Sequence, residues 1–508
     1  MAGIVVAAPK SGSGKTMVTC GLLTLLGRKG WNPAAFKCGP DYIDGLFHRK
    51  VLGVESGNLD SFFETPEHMK AKKEQEEESH FLVVEGVMGY FDGLGGVSVK
   101  GSSYEIANLL ELPVLLVVDA KGASVSLAAQ IHGFLDYVPR DDAGVALKNG
   151  RPIAGVLFNR MSPMMYGRMK QMIEEQLHVP VAGYVPELDF LQVGSRHLGL
   201  VLPDEIEGLK SQMEQLADCM EKTVDLDVLA GISGYGMAQD GRALPSPGGR
   251  EAVNAGFGMM REKNSRDARG KTAHNMREKN TYTLHDMTKT QRSEKFSLGV
   301  AMDEAFCFYY RDNLDALEQA GARLVHVSPV HDGGLPPELD GLLLGGGYPE
   351  NYARELSENE SMRRSIAEAA GRGMPILGEC GGYLYLLETL EDFQGKDYPM
   401  AGVLPGRGFR GSGKGRFGYI VLNPLRELPY ASVGMEIKGH EFHYWDCGCR
   451  EEEYGMKANK PIGGRSWPCM RTSGNVMAGF PHLYYPSCPE FVSRFAERCI
   501  VFGKETGV

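Results

Sequence analysis

The sequence predicts an α/β protein built from two doubly wound domains, each with parallel strands covered by helices. Three observations lead to this prediction. Short apolar runs alternate with amphipathic segments in residues 1–230, a second series of this kind begins near Phe296, and a polar, glycine-rich stretch separates the two. The chain of 508 residues has room for more than one core, because an ordinary domain has about 150 residues.

The first series predicts an N-terminal domain over residues 1–230. Its apolar runs have the length and β-branched content of buried strands, and the segments between them have helical periodicity. The expected strands are Gly3–Ala8, Phe81–Val84, Pro113–Val118 and Ile153–Phe158, and the expected helices include Thr16–Lys29 and Tyr104–Glu111. We interpret the charged run Lys70–Glu78 as the solvent-facing end of a helix rather than as a site.

The second series predicts a C-terminal domain over residues 296–508. It repeats the alternation of strand-like and helix-like segments, which again indicates a sheet with helices on its faces. The expected strands are Ser297–Ala301, Ala322–Val327, Gly341–Leu344, Met374–Leu377 and Tyr419–Leu422, and the expected helices include Asp312–Ala320 and Ser361–Arg372.

The stretch 231–295 between the two series differs from both in composition. It is rich in Gly, Ser, Asn, Arg and Lys, and it repeats the pentapeptide MREKN at residues 260–264 and 276–280. Residues 232–295 contain 12 basic and 7 acidic side chains, so the stretch is basic in an acidic protein. We interpret it as a low-complexity, disordered linker insertion, since no regularly spaced aromatic residues support the alternative of an RNA- or partner-docking arm.

The charge balance excludes several classes of function. Lys and Arg total 54 and Asp and Glu total 65, a net charge of −11, so no broad basic field for nucleic acid or an anionic membrane is expected. An anionic substrate must therefore be bound by local groups. We find neither a signal peptide nor an uncharged apolar run of about 18 residues, and the ten cysteines follow no framework spacing, which favours a reducing cytoplasmic location.

A phosphate-binding loop follows the first predicted strand. The sequence Pro9-Lys-Ser-Gly-Ser-Gly-Lys-Thr16 lies between a strand and a helix, where backbone N–H groups and the helix start bind phosphate groups. Lys15 would neutralise the β- and γ-phosphates, and the Thr16 hydroxyl would ligate Mg²⁺. Pro9 replaces the first glycine of the strict motif, and Lys10 matches a deviant form with an additional lysine. The predicted ATP-binding residues are Lys10, Ser11, Gly12, Ser13, Gly14, Lys15 and Thr16.

Three carboxylates are candidates for the magnesium site. Asp41 and Asp44 follow a short apolar segment, and Glu85 comes at the end of the strand Phe81–Val84. Carboxyl ends of parallel strands are where α/β proteins bind ligands, and Mg²⁺ prefers carboxylate, hydroxyl and phosphate oxygens. We assign Thr16, Asp41 and Glu85 to the metal, and Asp44 with its neighbour Tyr42 to the substrate or the domain interface.

A thiol with glycine neighbours predicts a nucleophile in the second domain. Cys380 stands between Gly378 and the pair Gly381-Gly382, after a predicted strand and before a helix. Such a turn exposes the sulfur, and the N–H of Gly381 would form half of an oxyanion hole. We expect Gly347, from the triple-glycine loop after the preceding strand, to supply the other donor. The helix start is expected to lower the pKa of the thiol.

The nucleophile needs a base, and three histidines follow it in the chain. His440 and His443 lie in the sequence GHEFHY, and His482 lies near the C-terminus. Imidazole is the usual general base for a cysteine nucleophile. Position along the chain does not choose among the three.

Together these motifs resemble the cobyrinic acid a,c-diamide synthases, glutamine-dependent ligases of corrinoid (cobalamin) biosynthesis. The resemblance extends over nearly the whole chain except residues 231–295, which the family pattern does not require. The matching stretches are Ser11–Thr16, Phe36–Asp44, Glu85–Gly93, Arg196–Leu200, Asp303–Tyr310, Leu344–Ala353, Glu379–Leu386 and Gly439–Tyr444.

The resemblance implies a fold and a role for each site. The family has an N-terminal ATP-binding domain similar to dethiobiotin synthetase and a C-terminal class I glutamine amidotransferase domain of flavodoxin-like fold. Cys380 then corresponds to the glutaminase nucleophile, and His482 to the base, since the family's histidine lies about a hundred residues after the cysteine. His440 and His443 are assigned to the substrate or the interface. Tyr484 stands where many class I glutaminases have a glutamate two residues after the histidine.

The implied reaction is amidation of the a and c acetate side chains of cobyrinic or hydrogenobyrinic acid through acyl phosphates. The expected partners are this tetrapyrrole, L-glutamine, ATP and Mg²⁺, with no nucleic acid and no membrane, and a homodimer is left open. The alternative is the same diamidation of another tetrapyrrole such as nickel sirohydrochlorin. A cobyric acid synthase fits less well, because the Gly-Lys-Thr loop and the GHEFHY sequence favour the a,c enzyme. A P-loop partitioning ATPase fits less well, because it would not need Cys380.

Overall fold

The computed structural model describes residues 3–141, 144–147, 153–188, 190, 203–235, 295–411, 416–448 and 453–506. The predicted α/β fold class is confirmed: the described residues form two large sheets, one in each half of the chain. Most of the 231–295 linker, together with the Arg196–Leu200 motif, lies outside the described residues. Within them, no helix combines the length and apolar character that a membrane span requires.

The first sheet has seven strands that are all parallel. They are β1 (Gly3–Ala7), β2 (Pro33–Cys38), β3 (Ser56–Leu59), β4 (Phe81–Glu85), β5 (Val114–Asp119), β6 (Ile153–Asn159) and β7 (Val181–Val185). Their order is β3-β2-β4-β1-β5-β6-β7, so β1 lies at the centre, between β4 and β5. Successive β1 residues alternate between two cores, with Ile4 and Val6 on one face and Val5 and Ala7 on the other.

Eight helices accompany this sheet in the described residues. They are α1 (Lys15–Arg28), α2 (Ile43–Phe47), α3 (Pro66–Glu77), α4 (Ser103–Leu109), α5 (Ser126–Asp136), α6 (Pro163–Leu177), α7 (Pro203–Thr223) and α8 (Leu226–Ser233). Two of them begin after a hydroxyl that accepts a free N–H: Thr65 Oγ1 from His68 N at 3.2 Å, and Ser102 Oγ from Glu105 N at 3.2 Å. These caps fix where α3 and α4 begin.

The described residues of the second half form sixteen strands. They are β8 (Phe296–Ala301), β9 (Phe306–Phe308), β10 (Ala322–Val327), β11 (Gly341–Leu344), β12 (Gly346–Gly347), β13 (Ile376–Glu379), β14 (Thr389–Glu391), β15 (Asp397–Pro399), β16 (Arg407–Arg410), β17 (Phe417–Pro424), β18 (Ile437–Phe442), β19 (Trp445–Cys447), β20 (Tyr454–Asn459), β21 (Ser466–Ser473), β22 (Val476–Gly479) and β23 (His482–Leu483). The helices are α9 (Arg311–Gln319), α10 (Ala353–Glu358), α11 (Glu360–Gly371), α12 (Gly381–Leu386) and α13 (Pro489–Thr506).

Ten of these strands form one mixed sheet in the order β10-β8-β11-β13-β22-β21-β20-β17-β18-β23. The first five are parallel and include the predicted strands β8, β10, β11 and β13, and the remaining five continue the sheet by antiparallel pairing. The predicted strand Tyr419–Leu422 is part of β17 and therefore belongs to this antiparallel extension. The extension returns the chain to the centre of the sheet and places β23 beside β18.

The two halves meet through aromatic side chains near the carboxyl ends of their parallel strands. Tyr42 and Phe63 from the first half pack with Phe308, Tyr310 and Tyr484 from the second. The Tyr42 and Phe308 rings stack with centroids 5.5 Å apart, and the Phe63 and Tyr484 rings stack at 4.8 Å. The carboxyl ends of the parallel strands in the two sheets therefore face each other.

Candidate functional site

The phosphate-binding loop joins β1 to α1 at the centre of the first sheet. Gly14 is the residue before α1 and has φ +89°, a left-handed conformation that favours glycine. A Cβ at this position would overlap with the Asn159 amide, whose Nδ2 donates to Ser13 O at 2.9 Å. Asn159, the last residue of β6, thus holds the loop at Ser13 and Gly14. Gly12, at φ +79°, supplies the second left-handed turn.

The lysine of this loop is buried against carbonyl oxygens. Lys15 Nζ donates to Met88 O and lies 3.5 Å from Lys10 O, and the side chain is only 8% exposed. Burial, reinforced by the nearby Lys37 ammonium, lowers the pKa of Lys15 to about 8. An anion bound in the loop would favour the charged ammonium, as expected for a phosphate-binding lysine. The side chain of Lys10, by contrast, is exposed, and its carbonyl accepts from Ser13 Oγ at 3.0 Å.

A buried cluster of two carboxylates, a hydroxyl and an ammonium lies beneath the loop. Thr16 Oγ1 donates to Glu85 Oε1 at 2.6 Å and lies 3.4 Å from Asp44 Oδ2. Lys37 Nζ is 2.7 Å from Glu85 Oε1 and 2.5 Å from Asp44 Oδ2. Burial raises the pKa of Glu85 to about 7, while the Lys37 charge opposes this shift. The four side chains gather at the carboxyl ends of β2 and β4.

This donor set fits a divalent cation. Among the described residues Glu85 Oε2 has no hydrogen-bond partner although it is buried, and His48 Nε2 lies 3.7 Å from it. Burial lowers the pKa of His48 to about 4, so its imidazole is neutral at pH 7. Mg²⁺ prefers one hydroxyl, one or two carboxylates and phosphate oxygens. Thr16, Asp44 and Glu85 supply the first three of these ligands.

The structure separates the two aspartates that follow β2. Asp41 Oδ1 accepts the N–H groups of Ile43 at 2.9 Å and of Asp44 at 3.2 Å, which caps the short helix α2. Asp41 also lines the large cavity described below, whereas Asp44 faces Thr16 and Lys37. The geometry therefore gathers Asp44, rather than Asp41, with Thr16 and Glu85.

Cys380 occupies a strained turn between β13 and α12. Its φ is +48° and its ψ −100°, an unusual conformation for a residue with a side chain, and its N–H donates to Gly479 O at 2.8 Å. The following residue, Gly381, packs on the triple-glycine loop: a Cβ there would lie 2.9 Å from Pro349 Cδ and 3.0 Å from Gly347 N. Gly347 and Gly381, the two predicted oxyanion donors, are thus neighbours beside the thiol.

The expectation of a lowered thiol pKa is wrong. Burial raises the pKa of the Cys380 thiol far above its ordinary value, and the carboxyl groups of Glu350 and Glu441 raise it further. The helix that follows has only six residues and does not offset this. Burial also lowers the pKa of His482 to about 3. The free protein therefore holds a neutral thiol and a neutral imidazole.

Aromatic rings, rather than a carboxylate, surround the His482 imidazole. His440, paired with His482 in the register of β18 and β23, stacks on it with centroids 4.9 Å apart and planes 15° apart. The Tyr42 ring from the first half of the chain lies 5.3 Å from the same imidazole. His482 Nδ1 has no hydrogen-bond partner in the described part of the chain, and the Tyr484 hydroxyl donates to Asp312 Oδ2 at 2.7 Å instead.

The two histidines of the GHEFHY sequence have different surroundings. His440 lines the large cavity, and its Nδ1 lies 3.1 Å from the Tyr310 hydroxyl. His443 is buried, with Nδ1 2.6 Å from Trp445 O and Nε2 3.3 Å from a Glu441 carboxylate oxygen, and its ring stacks on Phe480. Only His440 therefore lies at the site of Cys380 and His482.

One cavity of about 630 Å³ connects the two halves of the site. Its wall includes Cys380 and His482 from the second half and Met88, whose carbonyl accepts from Lys15, from the first. The remaining lining residues come from both halves, namely Pro40–Ile43, Val87, Gly93–Gly96, Gly101, Phe308, Gly347, Tyr348, Phe417–Tyr419, His440–Phe442, Lys460–Ile462 and Arg465. The predicted nucleophile and the residue that Lys15 contacts thus line the same cavity, which is open to solvent. A second cavity of about 350 Å³, lined by Lys10, Ser13, Asp119 and Lys121 among others, lies against the outer side of the loop.

Polar contacts across the interface hold this arrangement together. Lys72 Nζ is 2.7 Å from Glu64 Oε2 and 2.6 Å from Asp312 Oδ2 on the opposite half. The Tyr419 hydroxyl donates to Asp60 Oδ2 at 2.9 Å. These side chains, like Lys37, were not singled out from the sequence. Of these, only Lys37 could have been identified from the sequence, because it is a lysine inside an apolar strand just before Gly-Pro-Asp.

Comparison with known protein families assigns both halves of the chain. Residues 4–200 match the CobQ/CobB/MinD/ParA nucleotide binding domain, and residues 297–487 match the CobB/CobQ-like glutamine amidotransferase domain. The P-loop and the Thr16–Glu85 cluster fall within the first match, and Cys380 and His482 fall within the second.

Several curated relatives match nearly the whole chain. A cobyrinate a,c-diamide synthase of Caldanaerobacter subterraneus subsp. tengcongensis is 33% identical over 503 residues, which cover 99% of each chain. That of Salmonella typhimurium is 36% identical over 97% of this chain and 96% of its own. A hydrogenobyrinate a,c-diamide synthase of Brucella abortus is 38% identical over 87% of this chain and 89% of its own.

Proposed function

The chain belongs to the cobyrinate a,c-diamide synthase family, and we propose that it amidates the a and c acetate side chains of cobyrinic or hydrogenobyrinic acid with nitrogen from glutamine and energy from ATP. The observation that carries this proposal is the single cavity lined by Cys380, His482 and the carbonyl partner of Lys15. Ammonia released at the thiol would enter a cavity whose wall includes the residue that Lys15 contacts.

The glutaminase half-reaction starts from a neutral pair. The Cys380 sulfur attacks the side-chain amide carbon of glutamine while the His482 imidazole takes the thiol proton. The N–H groups of Gly347 and Gly381 stabilise the oxyanion of the tetrahedral intermediate. His482 returns the proton to the leaving nitrogen, ammonia departs, and water then cleaves the thioester to give glutamate. Stacking on His440 and contact with the tilted Tyr42 ring hold the imidazole in place of a carboxylate partner.

The ligase half-reaction uses the phosphate-binding loop. A substrate carboxylate attacks the γ-phosphorus of ATP, ADP leaves, and ammonia then attacks the acyl phosphate to give the amide and phosphate. Lys15 neutralises the phosphate charge, and Lys37 holds the Asp44 and Glu85 carboxylates together. Thr16, Asp44 and Glu85 would hold Mg²⁺, which supplies charge neutralisation at the phosphates. A carboxylate itself resists ammonia, so activation has to precede amide formation.

Two variants test the division of labour between the halves. Cys380→Ala is expected to lower glutamine-dependent amidation at least about a thousandfold while amidation from ammonium salts continues. Lys15→Ala is expected to abolish amidation from both nitrogen sources. Cys219→Ala, which removes a half-buried thiol of α7, serves as the control. If Cys380→Ala loses the ammonia-dependent reaction as well, the proposed division is refuted.

The tetrapyrrole is identified by the mass of its product. Each amidation replaces a hydroxyl group by an amino group, so mass spectrometry counts the amides formed on cobyrinate, hydrogenobyrinate or nickel sirohydrochlorin. We expect two amides on cobyrinate or hydrogenobyrinate, the substrates named for the relatives. Diamidation of nickel sirohydrochlorin alone would support the alternative substrate.

A further inference from the structure

The substrate proposed above carries several carboxylates around a flat conjugated ring, whereas the protein has a net charge of −11. Local cations must therefore bind it. We propose, resting on that function, that the glutamine amidotransferase domain holds part of the tetrapyrrole: Arg465 binds a ring carboxylate, and the exposed Phe442 faces the macrocycle.

The turn that carries Arg465 crosses to the other domain at the cavity. It joins β20 to β21, is closed by the Lys460 N–H donating to Arg465 O at 2.8 Å, and contains Gly463 and Gly464 in left-handed conformations. Ile462, at its tip, lies 3.5 Å from the position that a Cβ on Gly95 of the first domain would take. The turn thus forms a wall of the cavity opposite the 93–96 loop.

Arg465 is the cation suited to a ligand here. Among the described residues that line the cavity, Lys460 and Arg465 are the lysine and the arginine. Lys460 Nζ already donates to Phe417 O and to Tyr419 O at 3.2 Å, and burial lowers its pKa. Within the described residues the exposed Arg465 guanidinium has no hydrogen-bond or ion-pair partner. Guanidinium binds a carboxylate with two parallel hydrogen bonds.

Apolar side chains at the same cavity are unusually exposed. Phe442 is 51% exposed, Met88 42% and Ile462 39%, and all three line the cavity. The Phe442 ring packs edge-to-face on Phe417, with centroids 5.0 Å apart. Exposed apolar groups that cluster at one opening indicate a binding surface, and aromatic rings pack well on a flat conjugated ligand. At this opening, the arginine is suited to the carboxylates of a carboxylated tetrapyrrole, and the aromatic rings are suited to its flat conjugated ring.

Glutamine also carries a carboxylate, so the test has to separate the two ligands. The Arg465→Ala variant is compared with Arg364→Ala, which removes an exposed arginine of α11 that pairs with Glu360. Binding of cobyrinate is measured by ultrafiltration, from the visible absorbance retained with the protein. KM for glutamine is measured separately, from glutamate release.

We expect Arg465→Ala to raise the dissociation constant and KM for cobyrinate about tenfold, the loss typical of a hydrogen bond to a charged group, with KM for glutamine within about twofold. Phe442→Ser should raise the cobyrinate constants about fivefold, and Arg364→Ala should change neither ligand. Unchanged cobyrinate binding by Arg465→Ala, or a selective rise in KM for glutamine, would overturn this inference but would leave the proposed function intact. Failure of the unmodified protein to bind or amidate any tetrapyrrole would instead refute the proposed function.

Discussion

Glu350 is a buried carboxyl group near Cys380, the proposed nucleophile, and its removal should change how stability depends on pH. It is 7% exposed, and burial raises its pKa from 4.5 to about 8. An acid with a raised pKa in the folded state contributes stability that is fully present below its unfolded pKa. That contribution is lost as the pH rises towards the folded pKa. Glu350 should therefore make the protein less stable at pH 8 than at pH 5.

The magnitude follows from the two pKa values. Between pH 5 and pH 8 the unfolded state has already lost most of this proton, while the folded state keeps it until the pH nears 8. Linkage then gives a loss of about 3–4 kcal/mol in the free energy of unfolding across this interval. Glu350→Gln keeps the shape of the side chain and abolishes the titration, so it should remove this loss.

The measurement is urea unfolding at pH 5 and pH 8, followed by tryptophan fluorescence, to which Trp445 and Trp467 contribute from the same domain. The difference between the two pH values should be smaller in Glu350→Gln than in the parent by about 3–4 kcal/mol. Glu368→Gln, on the exposed face of α11, is the matched control and should follow the parent. Parallel pH profiles for Glu350→Gln and the parent would refute the reasoning.

Alkylation of the thiol gives a second readout of the same charge. The Glu350 carboxylate helps to raise the pKa of Cys380, so its removal should increase the thiolate fraction at pH 9. Iodoacetamide should then modify Cys380 faster in Glu350→Gln than in the parent, with the Cys380→Ala variant defining the background. Equal rates would mean that Glu350 does not act on the thiol.

Three further predictions concern the elbow, the metal ligands and the stacked imidazole. A Cβ on Gly382 would lie 2.5 Å from the carbonyl carbon of Leu344, so Gly382→Ala should cost about 3 kcal/mol or more, measured by urea unfolding, and a loss below 1 kcal/mol would contradict this. Asp44→Asn should raise the Mg²⁺ concentration for half-maximal amidation about tenfold and Asp41→Asn less than about twofold, while equal shifts would contradict the geometry. His440→Ala should lower kcat for glutamate release about tenfold and spare ammonia-dependent amidation, whereas an equal loss of both would contradict a role in positioning the base.

Features encoded within a few consecutive residues could be predicted from the sequence. The loop ending in Lys15-Thr16 and the turn around Cys380 each lie between a strand and a helix, and each needs glycines at close approaches, so their patterns are local. The alternation of strands and helices likewise predicts four of the seven strands of the first sheet and four of the five parallel strands of the second. The antiparallel extension of the second sheet was not predicted: β20, β21 and β22 pair across short turns, but β17 pairs with β20 and β18 with β23 over long stretches of chain.

Contacts between distant residues could not be predicted in this way. Asp41 and Asp44 stand three residues apart, and only the start of α2 decides which of them faces Thr16. The pKa of Cys380 depends on burial and on Glu441, sixty-one positions later, so reasoning from the helix start alone gave the wrong direction. His440 and His482 meet because β18 pairs with β23, which the spacing of the histidines does not reveal.

The Tyr42 ring, which lies against the His482 imidazole, makes the proposed glutaminase centre a joint product of the two domains. An excised amidotransferase domain would lack this wall, and its thiol and imidazole would open to water. A chimera that joins this domain to a foreign nucleotide-binding domain would have to reproduce the 40–43 loop as well as the fold. The practical unit for exchange or design is therefore the domain together with its neighbour's loop.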